Sequence, residues 1–339
     1  MDINGIPYVP ERNLILPRVY GDTPSFLGSP IIRSSDDISN YDVAVLGVPW
    51  EGPITWDTYT GCELAPKTIR HASARYSGFL PEYDINLFDY LTVGDIGDIS
   101  VVPSSPEETL CRVKEKAGEI YKAGAIPFTL GGDHSFTPEI VKALAECSSK
   151  KIGILHFDAH FDNMIKFGGE EYTRCNPLYR IAQIPEVKRT SIVHIGIRGP
   201  RNAPVQAEYA KRIGASVFTM KEIHEQGIEE VIKQAISAAY DGTDVVYVTI
   251  CSDSVEVGFN PGGPIDFDGL TPHQLFYGLH QIGKEGIAGL DFVEVYPIQD
   301  SIGYSSHLAT WAFIHALVGM SSRKKSAMPI EDMLKEVRK

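Results

Sequence analysis

The sequence predicts an α/β fold on a central parallel sheet, and three observations carry that expectation. Near-continuous apolar runs of strand length recur along the chain, as in Val43-Ala44-Val45-Leu46-Gly47-Val48 and Val245-Val246-Tyr247-Val248-Thr249-Ile250. Segments with helical patterning lie between them, which indicates a parallel sheet covered on both faces. Polar motifs rich in His and Asp follow several of the apolar runs, where sites gather in open α/β sheets.

Taken in order, residues 1–40 are rich in Pro, Gly, Ser and Asp and read as an ordered but irregular arm. A strand is expected at 43–48 and a helix from Pro66 to 73. A longer helix follows at 106–123, with Ser105 or Ser104 as its N-cap. Then come a strand at 126–130, a helix at 137–147 and strands at 152–157 and 191–196. The second half continues with a helix at 228–240, a strand at 245–250, a helix at 271–282, a strand at 289–295 and a helix at 306–318. Beyond Met320 the chain is basic and polar, with a short amphipathic helix expected over 330–337. No internal repeat or linker interrupts this order. The division expected is an N-terminal arm (1–40), one domain (41–320) and a C-terminal tail (321–339).

At 339 residues, 43% hydrophobic and 22% charged, the chain can bury a sizeable core. A formal charge of −13 argues against nucleic acid or an anionic membrane as partner. No run approaches the ~20 apolar residues that a membrane span needs. Met1-Asp2-Ile3-Asn4-Gly5 lacks the basic-then-apolar pattern of a signal peptide. Five cysteines, odd in number and without a CxxC, point to reduced thiols in a cytoplasm.

Three segments carry the chemistry: Gly131-Gly132-Asp133-His134-Ser135, His156-Phe157-Asp158-Ala159-His160-Phe161-Asp162 and Cys251-Ser252-Asp253. Asp158, His160 and Asp162 alternate, so on an extended backbone they face the same way. Oxygen and nitrogen donors converging from one short segment can hold a divalent cation. His134 and Asp253 could complete a site for two cations. Any one of these residues alone reads equally well as a helix cap or a hydrogen-bonded loop residue. Their occurrence together, each after a strand, favours one shared site. His156 lies in an apolar strand and is expected to be a core or supporting histidine. Trp50, Trp56, Phe161 and Tyr172 read either as an aromatic pocket wall or as ordinary core.

At these motifs the chain resembles the ureohydrolase superfamily, the arginases and agmatinases. Further matching segments are Thr60-Gly61, Ala65-Pro66, Ile69-Arg70, Pro261-Gly262 and the run Gly289-Leu290-Asp291-Phe292-Val293-Glu294-Val295-Tyr296-Pro297. The resemblance spans about residues 41–319. It implies a three-layer αβα fold, a pair of divalent metal ions (Mn²⁺ or Ni²⁺), and hydrolysis of a guanidinium C–N bond with release of a urea-type product. By the same resemblance His134, Asp158, His160, Asp162 and Asp253 are metal ligands. Glu294 matches the carboxylate that holds the substrate guanidinium, and with Asp158 and Asp162 it is expected at the catalytic centre. A homotrimer or hexamer, or a hetero-oligomer with a paralogous subunit, is implied as the assembly.

Two positions depart from the family pattern. Cys251 stands where a bridging carboxylate belongs. A thiolate would have to span both cations with one sulfur, at about 2.3 Å from each, and prefers softer metals than manganese. Fewer than two metals would then be held, unless Asp253 or Glu256 slips into the bridging place. Cys251 also reads as a small buried residue at a strand end. Arg174 falls where the family usually has a proton-shuttling histidine, a role that a permanently charged guanidinium cannot fill. It is a candidate substrate-binding residue, for an anionic group or as an excluder of cations. The alternative to an active hydrolase is a non-catalytic partner subunit whose metal site has decayed at Cys251 and Arg174.

Overall fold

Eight strands form one sheet: β1 (Val43–Gly47), β2 (Val93–Asp98), β3 (Ile126–Leu130), β4 (Ile152–Phe157), β5 (Val187–Ile197), β6 (Ser216–Thr219), β7 (Val245–Cys251) and β8 (Gly289–Val293). Their order across the sheet is β2-β1-β3-β8-β7-β4-β5-β6. Every neighbouring pair in this order is parallel. The computed structural model describes residues 24–53 and 60–327. Residues 1–23 of the expected arm, Trp56 and the expected helix at 330–337 lie outside the described residues.

Side chains on each strand alternate between two apolar layers. Val43 and Val45 join the cluster built with helices Ala65–Ser73, Ile228–Tyr240, Pro272–Glu285 and Tyr304–Ala327. Ala44 and Leu46 join the cluster built with helices Pro106–Lys122 and Thr137–Ser148. This is the expected three-layer αβα arrangement, a sheet buried on both faces. The helix starts follow cap chemistry. Ser105 accepts from the Glu108 N–H at 3.2 Å ahead of Pro106. Thr271 and Gln274 form a capping box.

The two edge strands, β2 and β6, are absent from the sequence reading. An edge is covered on fewer sides, so Val93-Gly94-Asp95-Ile96-Gly97-Asp98 carries two carboxylates and Ser216–Thr219 is only half-buried throughout. The helices Pro177–Ile181, Pro204–Ile213 and Met220–Gln226 were also not foreseen. The last helix runs to Ala327, past the expected end of the domain at 320, because Ser321 still packs inward and bonds to the Leu317 carbonyl. Within the arm, the turn Phe26–Gly28 docks on the sheet edge: Phe26 N–H donates to Asp95 at 2.8 Å. Arg70 holds the same carboxylate with Nε and Nη2 at 2.8 and 2.9 Å, a bidentate pair. Among the described residues no helix is long and apolar enough to cross a membrane.

One titration belongs to the scaffold. His280 stacks on Tyr83 with ring centroids 4.0 Å apart. Burial, then Lys284 and His315, lowers its pKa from 6.5 to about 4. A depressed histidine stabilises the fold when neutral, so its contribution is complete above pH 6.5 and is lost as pH falls toward 4. His280→Phe is therefore expected to flatten the acid-side fall in thermal midpoint between pH 6.5 and 4. An unchanged pH profile of the midpoint would contradict this.

Candidate metal centre and cation seat

The four central strands β3, β8, β7 and β4 deliver the site from their carboxyl ends. His134 follows β3, Glu294 follows β8, Cys251 and Asp253 close β7, and Asp158 to Asp162 follow β4. The glycine pair after β3 has a steric cause: a Cβ on Gly132 would lie 1.9 Å from the Trp50 carbonyl oxygen. Only glycine lets this loop pass so close to the chain leaving β1.

His134 Nδ1 lies 3.4 Å from Asp158 Oδ2 and 3.2 Å from Asp162 Oδ2. Its Nε2 is 2.9 Å from Thr249 Oγ1, which itself donates to Asp291 at 2.6 Å. Thr249 thus accepts from Nε2–H and fixes the ring with Nδ1 facing the carboxylates. His160 Nδ1 lies 3.0 Å from Asp253 Oδ2 and 3.4 Å from Asp158 Oδ1, while Nε2 is 3.1 Å from Asp266. Three overlapping donor groups result, each with its atoms within 4.8 Å of one another: His134, His156, Asp158 and Asp162; Asp158, Cys251 and Asp253; and His160, Asp253 and Asp266. Asp158 joins the first two and is fully buried.

This donor set fits divalent cations. Among the described residues, buried His134 Nδ1 and Asp253 Oδ2 have no hydrogen-bond partner, although buried polar atoms are otherwise nearly always bonded. The titrations show the same strain. Against burial, Asp158 and Asp162 hold the His134 imidazole well above its usual range. Burial, then the negative charge of Asp158, raises the Asp162 carboxyl. Imidazole and carboxylate donors suit Mn²⁺, Ni²⁺ or Zn²⁺.

The expected extended geometry of Asp158, His160 and Asp162 is corrected: β4 ends at Phe157, and Asp162 sits at φ +46°. The three side chains converge because the loop curls, with Asp162 in the left-handed region that costs of order 1 kcal/mol. Glu256 is in none of these donor groups, and its carboxylate accepts from the Gly269 N–H at 2.8 Å. Cys251 itself stands beside Asp158 and Asp253. Burial, then Asp158, pushes its thiol well above the usual range.

Glu294 lies beyond this centre in a second constellation. Its φ is +62°, another left-handed non-glycine. One carboxylate oxygen accepts from the His134 backbone N–H at 2.8 Å. The other accepts from Tyr296 OH at 2.5 Å and from Arg174 Nη1 at 2.7 Å. Arg174, 2% exposed, also reaches Tyr296 OH at 3.0 Å and Glu51 at 3.3 Å, with Asp133 at 3.6 Å. Arg174 thus lies among three carboxylates, Glu294, Glu51 and Asp133, and not where an anion would bind. Burial raises the Glu294 carboxyl to about 7, with Arg174 opposing.

Among the described residues, the aromatic candidates Trp50, Phe161 and Tyr172 make separate local contacts. Trp50 bonds Ser135 Oγ at 3.2 Å, Phe161 packs edge-on to His194, and Tyr172 lies under the Arg180 guanidinium. Each serves the local fold. His156 is a supporting residue: its Nε2 is 2.9 Å from Asp158 and its Nδ1 2.9 Å from His194. Sequence reasoning missed Glu51, Asp133, Asp266 and Tyr296. Asp133 lay inside the first motif and Tyr296 beside Glu294, but Glu51 and Asp266 carried no local signal.

The profile of the arginase family matches residues 41–319 of the chain. A guanidinopropionase from Pseudomonas aeruginosa is 31% identical over 287 residues, 83% of this chain and 86% of that one. The mitochondrial agmatinase of Gallus gallus is 30% identical over 285 residues, 84% and 82% of the two chains. Among solved structures, the proclavaminate amidino hydrolase of Streptomyces clavuligerus superposes with a TM-score of 0.82 at 28% identity, covering 91% of this chain and 99% of that one.

Proposed function

The chain belongs to the arginase family, and on that premise we propose that it is a metal-dependent amidinohydrolase of a guanidine-type small molecule, releasing a urea-type product. One observation supports this above the others: separate strand ends bring His134, Asp158, His160, Asp162, Cys251 and Asp253 together beside a Glu294 carboxylate that already engages a guanidinium. His134, Asp158 and Asp162 would hold one divalent cation, and His160, Asp158 and Asp253 the other, with Cys251 alongside. Such a pair, when bound, polarises an electrophilic carbon and acidifies water.

The chain's own groups do the rest. Glu294 offers a planar cation charge-assisted hydrogen bonds. The His134 backbone N–H and Tyr296 OH fix that carboxylate in orientation, so the scissile carbon is positioned as the cation binds. Thr249 and Asp291 fix the His134 ring. Burial of His134, Asp158, Asp253 and Glu294 limits screening of these interactions by bulk water. The test is urea release from a panel of guanidine, agmatine and guanidino acids with Mn²⁺ or Ni²⁺, read with metal content. Bound divalent metal and urea from one substrate are expected; no metal and no turnover would overturn the reading.

A second reading is favoured by a specific pair of residues. Arg174 on Glu294 and Cys251 at the bridging place together suit a non-catalytic subunit that supports a paralogous catalytic chain. It predicts near-zero metal in the isolated chain and activity only in the mixed assembly. The reduced thiols of either form suit a cytoplasmic protein.

A further inference from the structure

Arg174 needs an account of its own. It sits on a loop that starts at Asp162 and ends at the helix Pro177–Ile181. The loop closes on itself through Met164 N–H to the Cys175 carbonyl at 3.2 Å and Leu178 N–H to the Asp162 carbonyl at 2.9 Å. Asn176 ties its interior to the Glu171 carbonyl at 2.6 Å. Its tip is exposed, held by a Lys166–Glu171 ion pair with both side chains about half-exposed, which contributes little. From this closed loop one guanidinium points inward, onto Glu294.

The charges there do not balance with Arg174 alone. Three carboxylates, Glu294, Glu51 and Asp133, lie within 3.6 Å of its guanidinium. Each is tethered by other donors: Glu51 by Thr60 Oγ1 at 2.6 Å and Gly61 N–H at 3.2 Å, Asp133 by Gly52 N–H at 2.7 Å. The carboxylates would therefore stay in place if the arginine left. Among the described residues the buried Nε of Arg174 has no hydrogen-bond partner, so the fit of the side chain is incomplete. An acidic seat shaped for a planar cation and filled by a residue of the same chain is an intramolecular complex.

We infer that Arg174 is a built-in competitor in the cation seat: the loop carrying it excludes guanidinium-bearing molecules, and one binds only when Arg174 is withdrawn. This rests on the reading of Glu294 as the guanidinium-holding carboxylate, and adds that the wild-type seat is already filled. It follows that a guanidinium ion, the side chain's own head group, should replace the missing side chain.

The test is binding, done without metal, so that it fails or succeeds independently of turnover. Arg174→Ala is titrated with guanidinium chloride up to 20 mM against sodium chloride at equal ionic strength, and the thermal midpoint is followed. The expected result is a saturable rise in midpoint for Arg174→Ala, none for the wild type, and loss of the rise in Arg174→Ala with Glu294→Gln. An Arg174→Ala chain that folds only with guanidinium gives the same answer. Should it fold in neither salt, Arg174→Gln, whose amide still donates to Glu294, is read the same way. Saturation of the wild type at the same concentration, or of neither variant, would overturn the inference. Failure here with intact urea release would remove the competitor and leave the hydrolase; binding here without turnover would do the reverse.

Discussion

Asp158→Asn is expected to abolish divalent-metal binding at both halves of the centre. Asp158 is the carboxylate that joins the His134 group to the Cys251 and Asp253 group. One of its oxygens lies 3.4 Å from His134 Nδ1 and the other 3.4 Å from His160 Nδ1. An amide keeps the shape but removes the charge, and its NH₂ would face a cation or an imidazole nitrogen. Supporting residues around a metal alter affinity by 10–100-fold, so the shared ligand itself should exceed about a hundredfold. Asp162→Asn and Asp253→Asn each touch one half only and should each leave one metal per chain. Metal content after equilibrium dialysis separates the three. The wild-type thermal midpoint should also rise with added Mn²⁺, while that of Asp158→Asn stays flat. Equal metal content in all three variants would show that the two groups are not one centre.

The sequence made the central part of this molecule readable because burial writes itself into composition. β1, β3, β4, β7 and β8 are buried on both faces, and each is a mainly apolar run that can be read directly. The edges β2 and β6 escaped, being polar or half-covered. The candidate metal ligands stood out for a related reason: each lies at or shortly after the end of one of those readable strands. The path of the backbone at the site was not. Asp162 and Glu294 both adopt left-handed φ values, a conformation that tertiary packing imposes and residue type does not announce. Nor could charge neighbours separated by long stretches of chain be read. Arg174 contacts Glu294 across 120 positions and Glu51 across 123. Its identity was visible as an oddity, but its place on the seat depends on the loop fold. His160 likewise finds Asp266 through a loop that approaches from beyond β7.

Cys251→Asp is expected to raise manganese binding, and the physical reason lies in charge and number of donor atoms. The thiol stands at the end of β7 next to Asp158 and Asp253, buried and 3% exposed. A thiol there contributes no charge unless a soft metal ionises it, and offers a single sulfur. An aspartate brings two oxygens and a negative charge to a group that otherwise counts Asp158 and Asp253 with His160 against one dication. Charge count sets affinity for hard cations, so about a tenfold or greater gain for Mn²⁺ is expected, with metal content moving toward two per chain. The change costs space: Cys251 packs against the apolar layer that includes Val293 and Trp50, and the larger side chain must be taken up there. Stability of the metal-free variant should therefore fall by about 1–3 kcal/mol and recover on adding Mn²⁺. Wild-type protein loaded with Zn²⁺ gives the control, since a softer ion accepts the sulfur. If Cys251→Asp binds no more manganese than the wild type, the residue is a packing thiol and the second metal is limited elsewhere. If Mn²⁺ binding rises but urea release does not, the filled cation seat at Arg174 is what limits the chain, and the double variant with Arg174→Ala is the next measurement.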